Sequence, residues 1–203
     1  MRVVTLPVGN LQTNCYIVVN NSDACVIDPG ADANGIMAAL AEEGVTPSRI
    51  LLTHGHADHV AAAAALKRLT GAAIAAHPAD GFLLGATENG IARMLGLTEA
   101  IVPDVALADS ALVLAGGVEF TVLATPGHTP GSCCFYSAKE QVLFSGDTLF
   151  RGSIGRSDLP GGDQRTLQRS LSRLKQLPAE VEVYPGHGPG TTIGRERMSN
   201  RYW

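Results

Sequence analysis

The sequence lacks the long apolar run that a membrane-spanning helix requires. Its longest uniformly apolar stretch is the seven residues Val60–Leu66, whereas a helix needs about 20 such residues to cross a bilayer. Residues 1–14 carry one Arg and soon turn polar, so they do not form the apolar centre of a signal peptide. We therefore expect a cytoplasmic protein that has no membrane partner.

Concentrated positive charge is also missing. Fifteen Lys and Arg residues stand against nineteen Asp and Glu residues, which leaves a net charge of −4. Attraction to a nucleic-acid backbone depends on clustered positive charge, so we expect no nucleic-acid partner. Hydrophobic residues make up 45% and charged residues 17% of the 203 residues, a mixture typical of a globular protein. The length predicts one domain over residues 1–203.

The four cysteines form no Cys-x-x-Cys pair, which argues against a zinc ribbon or a thioredoxin-like motif. They lie in apolar, strand-like runs, at Cys15, Cys25, Cys133 and Cys134. A free Cys in such a run behaves as a small buried apolar side chain. We predict this role for all four, with a Cys15–Cys25 disulfide or reactive thiols as the alternatives.

Strand-like and helix-like runs alternate along the chain. The predicted strands are short apolar and β-branched runs, at 3–8, 15–19, 24–27, 50–53, 72–76, 118–124, 133–137, 142–145 and 181–184. The predicted helices cover residues 32–43, 58–69 and 163–176, together with an interrupted segment over 79–96. This alternation predicts an α/β fold in which helices pack outside mixed sheets.

Four of the predicted strands end in the same way. Each is followed by small or turn-forming residues and then by a His or an Asp, at His54, His128, Asp147 and His187. Strand ends in layered α/β folds are where sites are built, because the rigid scaffold holds loops that present side chains. Three of the six histidines also fall within the window 54–59. We therefore predict a functional site at this edge of the sheets.

The residue types at these positions indicate a metal centre. Imidazole and carboxylate are ligands that zinc and iron prefer. The seven candidate donors are His54, His56, Asp58, His59, His128, Asp147 and His187. One zinc ion takes about four ligands including water, so seven donors are too many for one ion and suit two. Two metal ions about 3.5–4 Å apart lower the pKa of a shared water, which is hydrolytic chemistry.

The window Thr53–His59 resembles the His-x-His-x-Asp-His signature of the metallo-β-lactamase fold superfamily. The later Pro-Gly-His128, Gly-Asp147 and Pro-Gly-His187 elements resemble the remaining metal motifs of that family, in the same order. The resemblance implies an αββα sandwich of two mixed β-sheets flanked by helices, with the site along one edge. It implies the following ligands: His54, His56 and His128 for the first metal ion, Asp58, His59 and His187 for the second, and Asp147 as the bridge.

The segment Gly146–Asp163 is similar to the short, single-domain bacterial branch of glyoxalase II, the hydroxyacylglutathione hydrolases. The implied reaction is hydrolysis of a small-molecule S-(2-hydroxyacyl)glutathione-type thioester by a hydroxide that bridges two divalent metal ions. Zinc is the expected metal, with iron or manganese as alternatives. A thiolate leaves readily, and Asp58 is the catalytic candidate for shuttling a proton. Lactam cleavage is less expected, because true metallo-β-lactamases usually have Cys or Ser in place of Asp147.

The resemblance leaves open how the thiol half of the substrate is bound. The longer glyoxalase II enzymes hold glutathione with basic residues of a C-terminal helical domain, but this sequence ends at residue 203, sixteen residues after His187. Arg151 and Arg156, in the loop after Asp147, are the substrate-binding candidates, and pairing within that loop is the alternative. His77 also follows a strand. We predict a structural role for His77, because the seven donors already fill the site.

Two other functions fit the same residues. A persulfide dioxygenase would bind one iron ion through His54, His128 and Asp147, an arrangement that leaves positions open for oxygen and substrate. A non-catalytic interaction domain would use the metal only as a structural element, but structural zinc sites are closed and four-coordinate. The oligomeric state is left open, as is whether the tail Ile193–Trp203 docks on its own domain or on a neighbour.

Overall fold

The computed structural model describes residues 1–203, and its first sheet contains six strands. They are β1 (Arg2–Val8), β2 (Thr13–Asn20), β3 (Asp23–Ile27), β4 (Thr46–Leu51), β5 (Ala73–Ala76) and β6 (Val105–Ala106). The strands lie side by side in chain order. The first three are antiparallel to one another, and β3 to β6 are parallel, so the sheet is mixed.

The second sheet also has six strands, interrupted along the chain by a separate two-stranded hairpin. In chain order the elements are β7 (Leu112–Ala115), β8 (Val118–Ala124), β9 (Cys133–Ser137), β10 (Val142–Gly146), the hairpin strands β11 (Leu149–Phe150) and β12 (Ser153–Ile154), β13 (Glu182–Pro185) and β14 (Thr191–Thr192). The spatial order in the sheet is β14-β13-β10-β9-β8-β7. Only β10 and β13 run parallel.

Seven α-helices connect these strands. They are α1 (Ala33–Glu42), α2 (Ala57–Val60), α3 (Ala63–Thr70), α4 (Gly81–Leu84), α5 (Gly90–Met94), α6 (Gln164–Leu174) and α7 (Ile193–Ser199). A single 3-10 turn at Pro78–Asp80 precedes α4. The helices are too short or too polar for any of them to cross a membrane.

Three apolar layers hold the sandwich together. The inner layer lies between the sheets and includes Ile27 from β3 and Phe120, Phe135 and Phe144 from the second sheet. One outer layer packs α1 and α3 against the first sheet, and the other packs α6 against the second sheet. Burying one large apolar side chain contributes about 1.5–3 kcal/mol. The αββα sandwich of two mixed sheets that the resemblance implies is therefore confirmed.

All nine predicted strands are present, with boundaries that differ by a few residues. The structure corrects the prediction of one continuous helix over residues 58–69, because α2 and α3 are separate. The amide of Ala62 donates to the Pro29 carbonyl over 3.0 Å instead of to the carbonyl one turn back. Gly30 approaches the carbonyl of Asp58 so closely that a Cβ there would lie 1.6 Å from it. The loop before α1 thus divides the helix.

The four cysteines are buried and unbridged, as predicted. Cys15 faces the outer layer of the first sheet and Cys25 the inner layer, so the two thiols lie on opposite faces of the sheet and do not form the alternative disulfide. Burial raises the pKa of the Cys134 thiol to about 11. The thiolates therefore do not form at neutral pH, which argues against reactive thiols.

The C-terminal tail docks on its own chain. Trp203 packs on the layer beneath α6, and its indole N–H donates to the Leu171 carbonyl over 2.7 Å. Glu196 of α7 is fully buried and accepts hydrogen bonds from the Gly152 amide at 2.7 Å, the Thr191 hydroxyl at 2.5 Å and the Asn200 amide at 2.9 Å. This one carboxylate therefore joins α7, β14 and the β11–β12 hairpin.

We predict that Glu196→Ala lowers the free energy of unfolding by about 2–4 kcal/mol, because the Gly152 amide and the two side-chain donors would lose a buried, charged acceptor. Urea unfolding measures this loss. Met198→Ala on the same helix is the matched control, since that side chain is 86% exposed and should leave stability unchanged. A wild-type curve with one cooperative transition would support the single-domain prediction, and an unchanged midpoint in Glu196→Ala would contradict the anchoring role.

Candidate metal centre

The seven predicted donors lie together at one edge of the sandwich, where β4, β8, β10 and β13 end. They form two groups. The first contains His54, His56 and His128, whose ligand atoms all lie within 4.8 Å of one another. The second contains Asp58, His59 and His187 within the same limit. The structure thus brings together residues that are as far apart as 133 positions in the chain, from His54 to His187.

Asp147 lies between the two groups. Its Oδ1 atom is 3.4 Å from Nε2 of His59, and its Oδ2 atom is 3.6 Å from Nε2 of His128 and 3.7 Å from Nε2 of His187. This carboxylate therefore faces both groups, as a bridging ligand would. Gly186 leaves it room, because a Cβ at that position would lie 2.1 Å from Oδ1 of Asp147.

Hydrogen bonds orient the histidines of both groups through Asp28. His59 Nδ1 donates to Oδ2 of Asp28 over 2.9 Å. The Thr53 hydroxyl donates to the same oxygen over 2.6 Å, and its own oxygen is 3.1 Å from Nδ1 of His54. These acceptors hold the proton of each ring on Nδ1. Nε2 of His54 and Nε2 of His59 therefore point into the site. In metal-binding histidines, the hydrogen bond that one ring nitrogen makes decides which nitrogen faces the metal ion.

Backbone carbonyls orient two further rings in the same way. His128 Nδ1 donates to the Arg156 carbonyl over 2.7 Å, and His187 Nδ1 donates to the Leu11 carbonyl over 3.2 Å. Both rings thus direct Nε2 at the centre. His56 approaches through its other nitrogen, with Nδ1 at 3.0 Å from Nε2 of His128. Five imidazoles converge on a small volume.

Two buried acceptor atoms at the centre have no donor, which fits cations. The buried Nε2 of His54 and Oδ1 of Asp147 have no hydrogen-bond partner, and an unsatisfied buried polar atom costs about 1–3 kcal/mol. Burial lowers the pKa of His56 to about 4, so this ring keeps its lone pair at neutral pH. Burial opposes the charged form of His59, but Asp147, Asp28 and Asp58 outweigh it and raise its pKa to about 10, so without a metal ion a proton takes the position at Nε2 that a cation would occupy. The surrounding field therefore favours positive charge.

Asp58 is held as an ionised carboxylate. Burial would raise its pKa, but the hydrogen bond from His187 and the charge of His59 lower it well below the usual range. Its Oδ2 atom accepts a hydrogen bond from the Thr13 hydroxyl at 3.0 Å and lies 3.3 Å from Nε2 of His187. These contacts favour a ligand role for Asp58 over proton transfer, since a strongly acidic carboxylate takes up a proton poorly.

Two buried carboxylates at the site were not predicted from the sequence. Asp28 follows β3 in an Asp-Pro-Gly turn, so the strand-end pattern could have identified it. Asp80 has no such signal. It is 1% exposed and accepts hydrogen bonds from the Gly55 amide at 2.8 Å, the Thr129 hydroxyl at 2.7 Å and the Gly131 amide at 2.6 Å. It therefore ties the loop of His54 and His56 to the loop of His128.

The loop that carries His187 is fastened to the first sheet. The Asn14 side-chain amide donates to the carbonyls of Pro185 and Gly188 over 3.0 and 2.8 Å. The Tyr16 hydroxyl donates to the same Pro185 carbonyl over 2.6 Å. Because Asn14 and Tyr16 belong to β2, these bonds join the second donor group across both sheets.

The remaining candidates lie outside the donor cluster. Arg156 is exposed, and its guanidinium donates twice to Asp158 within the same loop, both over 2.7 Å, which matches the alternative of pairing within the loop. Arg151 is exposed and makes no ion pair, and it borders a groove described below. His77 is half-buried and accepts a hydrogen bond from the Ala79 amide at the 3-10 turn, in agreement with the predicted structural role.

Comparison with known proteins gives a family and several relatives. A family model described as the metallo-beta-lactamase superfamily matches residues 8–187. The hydroxyacylglutathione hydrolase GloC of Haemophilus influenzae is 38% identical over 208 residues, which cover 100% of this chain and 98% of that protein.

Solved structures resemble the fold closely. The crystal structure of BLEG-1, a B3 metallo-beta-lactamase, has a TM-score of 0.93 with 39% identity and 99% coverage of both chains. TTHA1623 in a di-iron-bound form has a TM-score of 0.90 with 41% identity and 100% coverage of both. ETHE1 from Myxococcus xanthus has a TM-score of 0.84 with 30% identity, covering 99% of this chain and 84% of that one.

We predict that zinc stabilises the metal-free protein. A ligand at 100 times its Kd contributes about 2.7 kcal/mol, which corresponds to about 5–10 °C in Tm for a chain of this size. Differential scanning calorimetry with and without zinc measures the shift. His56→Ala should reduce it, and His77→Ala, a histidine outside the cluster, should not. Equal shifts in both variants would contradict the assignment.

We also predict that Asp80→Asn weakens zinc binding by about 10–100-fold, the usual effect of removing a group that orients metal ligands. The amide replaces one acceptor oxygen by a donor, which faces either the Gly131 amide or both the Gly55 amide and the Thr129 hydroxyl. Competition with a chromophoric chelator measures the affinity. Asp104→Asn is the control, because Asp104 also accepts a backbone hydrogen bond, from Ile74, but lies outside the cluster. Wild-type affinity in Asp80→Asn would contradict the positioning role.

Proposed function

Because this chain belongs to the metallo-β-lactamase superfamily, a family of metallo-hydrolases, we propose that it is a thioesterase for S-(2-hydroxyacyl)glutathione-type substrates. The observation that carries the proposal is the Asp147 carboxylate between two complete donor groups, at 3.4 Å from His59 and 3.6 Å from His128. Two adjacent groups of this composition suit a dinuclear centre. The similarity to the Haemophilus hydroxyacylglutathione hydrolase supports the choice of substrate class.

The donor groups divide as the resemblance implies. His54, His56 and His128 would hold one divalent ion, Asp58, His59 and His187 the other, and Asp147 both. Zinc is our proposal, and the di-iron form of TTHA1623 makes iron the main alternative. When bound, two such ions lower the pKa of a shared water and stabilise the charge that develops during hydrolysis.

The protein's own residues supply the orientation. Asp28, Thr53 and the carbonyls of Leu11 and Arg156 fix the ring tautomers, so each lone pair points into the centre before a substrate arrives. Such preorganised groups need no rearrangement during the reaction. No further acid is required, because a thiol has a pKa of about 8.5 and its thiolate leaves without protonation.

A persulfide dioxygenase is the second candidate. The structural likeness to ETHE1 favours it, together with the placement of His54, His128 and Asp147, the three residues that would hold a single iron. Iron sites with two histidines and one carboxylate leave positions open for oxygen. The loop from Phe150 to Gly162 favours the hydrolase, because it fits the hydroxyacylglutathione hydrolases better. Asp58, His59 and His187 are compatible with both candidates.

We predict rapid thiol release from S-lactoylglutathione by the metal-loaded protein. His56→Ala should lose at least a hundred-fold in kcat/KM, because one ion loses a ligand. His77→Ala should retain the wild-type value. A thiol-reactive chromophore follows the release continuously.

Other outcomes would overturn the proposal in recognisable ways. Oxygen uptake with glutathione persulfide, without thiol release from S-lactoylglutathione, would establish the dioxygenase. Opening of a chromogenic β-lactam at a higher kcat/KM than any thioester would identify a lactamase, as the likeness to BLEG-1 requires us to test.

A further inference from the structure

A groove of about 540 Å³ lies at the outer edge of the second sheet, between β13, β14, α7 and the turn of the β11–β12 hairpin. Its volume is within the range of about 300–1,000 Å³ that small-molecule sites occupy. Its charged lining residues are Arg151, Arg195 and Glu182, with Tyr184 and Thr191 between them. The groove is therefore polar and carries more positive than negative charge.

The groove begins beside the metal centre. Arg151 directly follows Phe150, whose ring centroid lies 6.3 Å from that of His187. Gly190, on the opposite wall, belongs to the same loop as His187. A molecule that is held at the centre and extends past Phe150 would therefore reach the wall of the groove that Arg151 lines.

The two arginines of the groove are free to bind a ligand. Two other surface arginines are paired with carboxylates, Arg156 with Asp158 and Arg173 with Asp109. The guanidinium groups of Arg151 and Arg195 make neither an ion pair nor a hydrogen bond in the structure. A guanidinium presents a rigid fork of donors that matches a carboxylate. The groove thus has two vacant carboxylate-binding groups.

The backbones that carry these arginines are joined by one buried carboxylate. Glu196 follows Arg195, and it accepts a hydrogen bond from the amide of Gly152, the residue after Arg151, at 2.7 Å. Glu196 also accepts a hydrogen bond from the hydroxyl of Thr191, a residue of the groove wall. The fold therefore fixes the spacing of the two backbone segments from which the arginines extend.

One acidic side chain completes the pattern. Glu182 is exposed in the groove, and its carboxylate accepts a hydrogen bond from the Tyr184 hydroxyl at 3.0 Å. A glutathione-type thiol carries two carboxylates and one ammonium group. Two arginines and one glutamate are the complementary charges. A phosphorylated carrier such as coenzyme A has no ammonium for Glu182 and would be repelled by it.

We propose that this groove binds the thiol half of the substrate, a zwitterionic peptide thiol of the glutathione class, with Arg151 and Arg195 on its carboxylates and Glu182 on its ammonium group. The inference rests on the proposed function for its substrate class, and it assigns Arg195 and Glu182 roles that the sequence did not suggest.

Direct binding of S-methylglutathione, a thioether that has no thioester bond to hydrolyse, tests the groove apart from the reaction. Isothermal titration of the metal-loaded protein should show about five- to ten-fold weaker binding in Arg151→Ala and in Arg195→Ala, which is the effect of losing one exposed, charge-assisted contact. Arg169→Ala on α6 is the matched control, since that side chain is exposed and unpaired outside the groove. All three side chains are exposed, so Tm should not change.

The charge assignment has its own test. Glu182→Gln should weaken the binding of S-methylglutathione but leave unchanged the affinity for an analogue that lacks the α-amino group. In hydrolysis, the arginine variants should raise KM for S-lactoylglutathione without lowering kcat. They should not alter kcat/KM for the lactoyl thioester of N-acetylcysteamine, which has no charged groups.

The outcomes separate this inference from the proposed function. Wild-type affinity in both arginine variants would overturn the groove assignment even if thioesters are hydrolysed. A coenzyme A thioester preferred over the glutathione thioester, with the preference lost in Arg195→Ala, would overturn the choice of thiol. Weaker S-methylglutathione binding in the variants, with no hydrolysis of any thioester, would support the groove and contradict the thioesterase.

Discussion

The structure depends on holding two carboxylates and five imidazole rings against one another in one small centre. Asp147 alone lies within 3.7 Å of nitrogen atoms from three histidines. Ring protons satisfy such a cluster only in part, because Nε2 of His54 and Oδ1 of Asp147 keep no hydrogen-bond partner. The rest of the fold must therefore force them together, and cations are the groups that relieve the conflict.

Strand ends and the buried carboxylates beneath them hold the donor side chains together. The inner apolar layer aligns β4, β10 and β13, and the donors follow where these strands stop. Asp28 then orients His59 directly and His54 through Thr53, while Asp80 joins the loop of the first two histidines to that of His128. Both carboxylates are almost fully buried and accept three hydrogen bonds each, the condition under which a buried polar group is tolerated. Rigidity in the core is thereby transmitted to the positions of the lone pairs.

The candidate donors could be found in the sequence because four of them follow a strand end, and the other three share the window 54–59 with His54. The residues that support them could not be found in this way. Asp80 lies in a 3-10 turn without any pattern, and only the tertiary structure brings it to Gly55 and Gly131. The division of α2 from α3 depends on the Pro29 carbonyl, which is distant in sequence. Helix α7 was missed because Ile193–Ser199 has a single buried apolar residue, Ile193, and its other buried side chain is Glu196.

Helix α7 is held against the rest of the chain mainly by polar contacts. In Ile193–Ser199, propensity and apolar periodicity contribute little, and the helix depends on Glu196 reaching Gly152 and Thr191. The same contacts set the distance between the hairpin and the edge strand. The carboxylate of Glu196 therefore joins the two backbone segments from which Arg151 and Arg195 extend. Loss of this carboxylate should disturb both the anchoring of the C-terminus and the groove, whereas loss of either exposed arginine side chain should affect the groove alone.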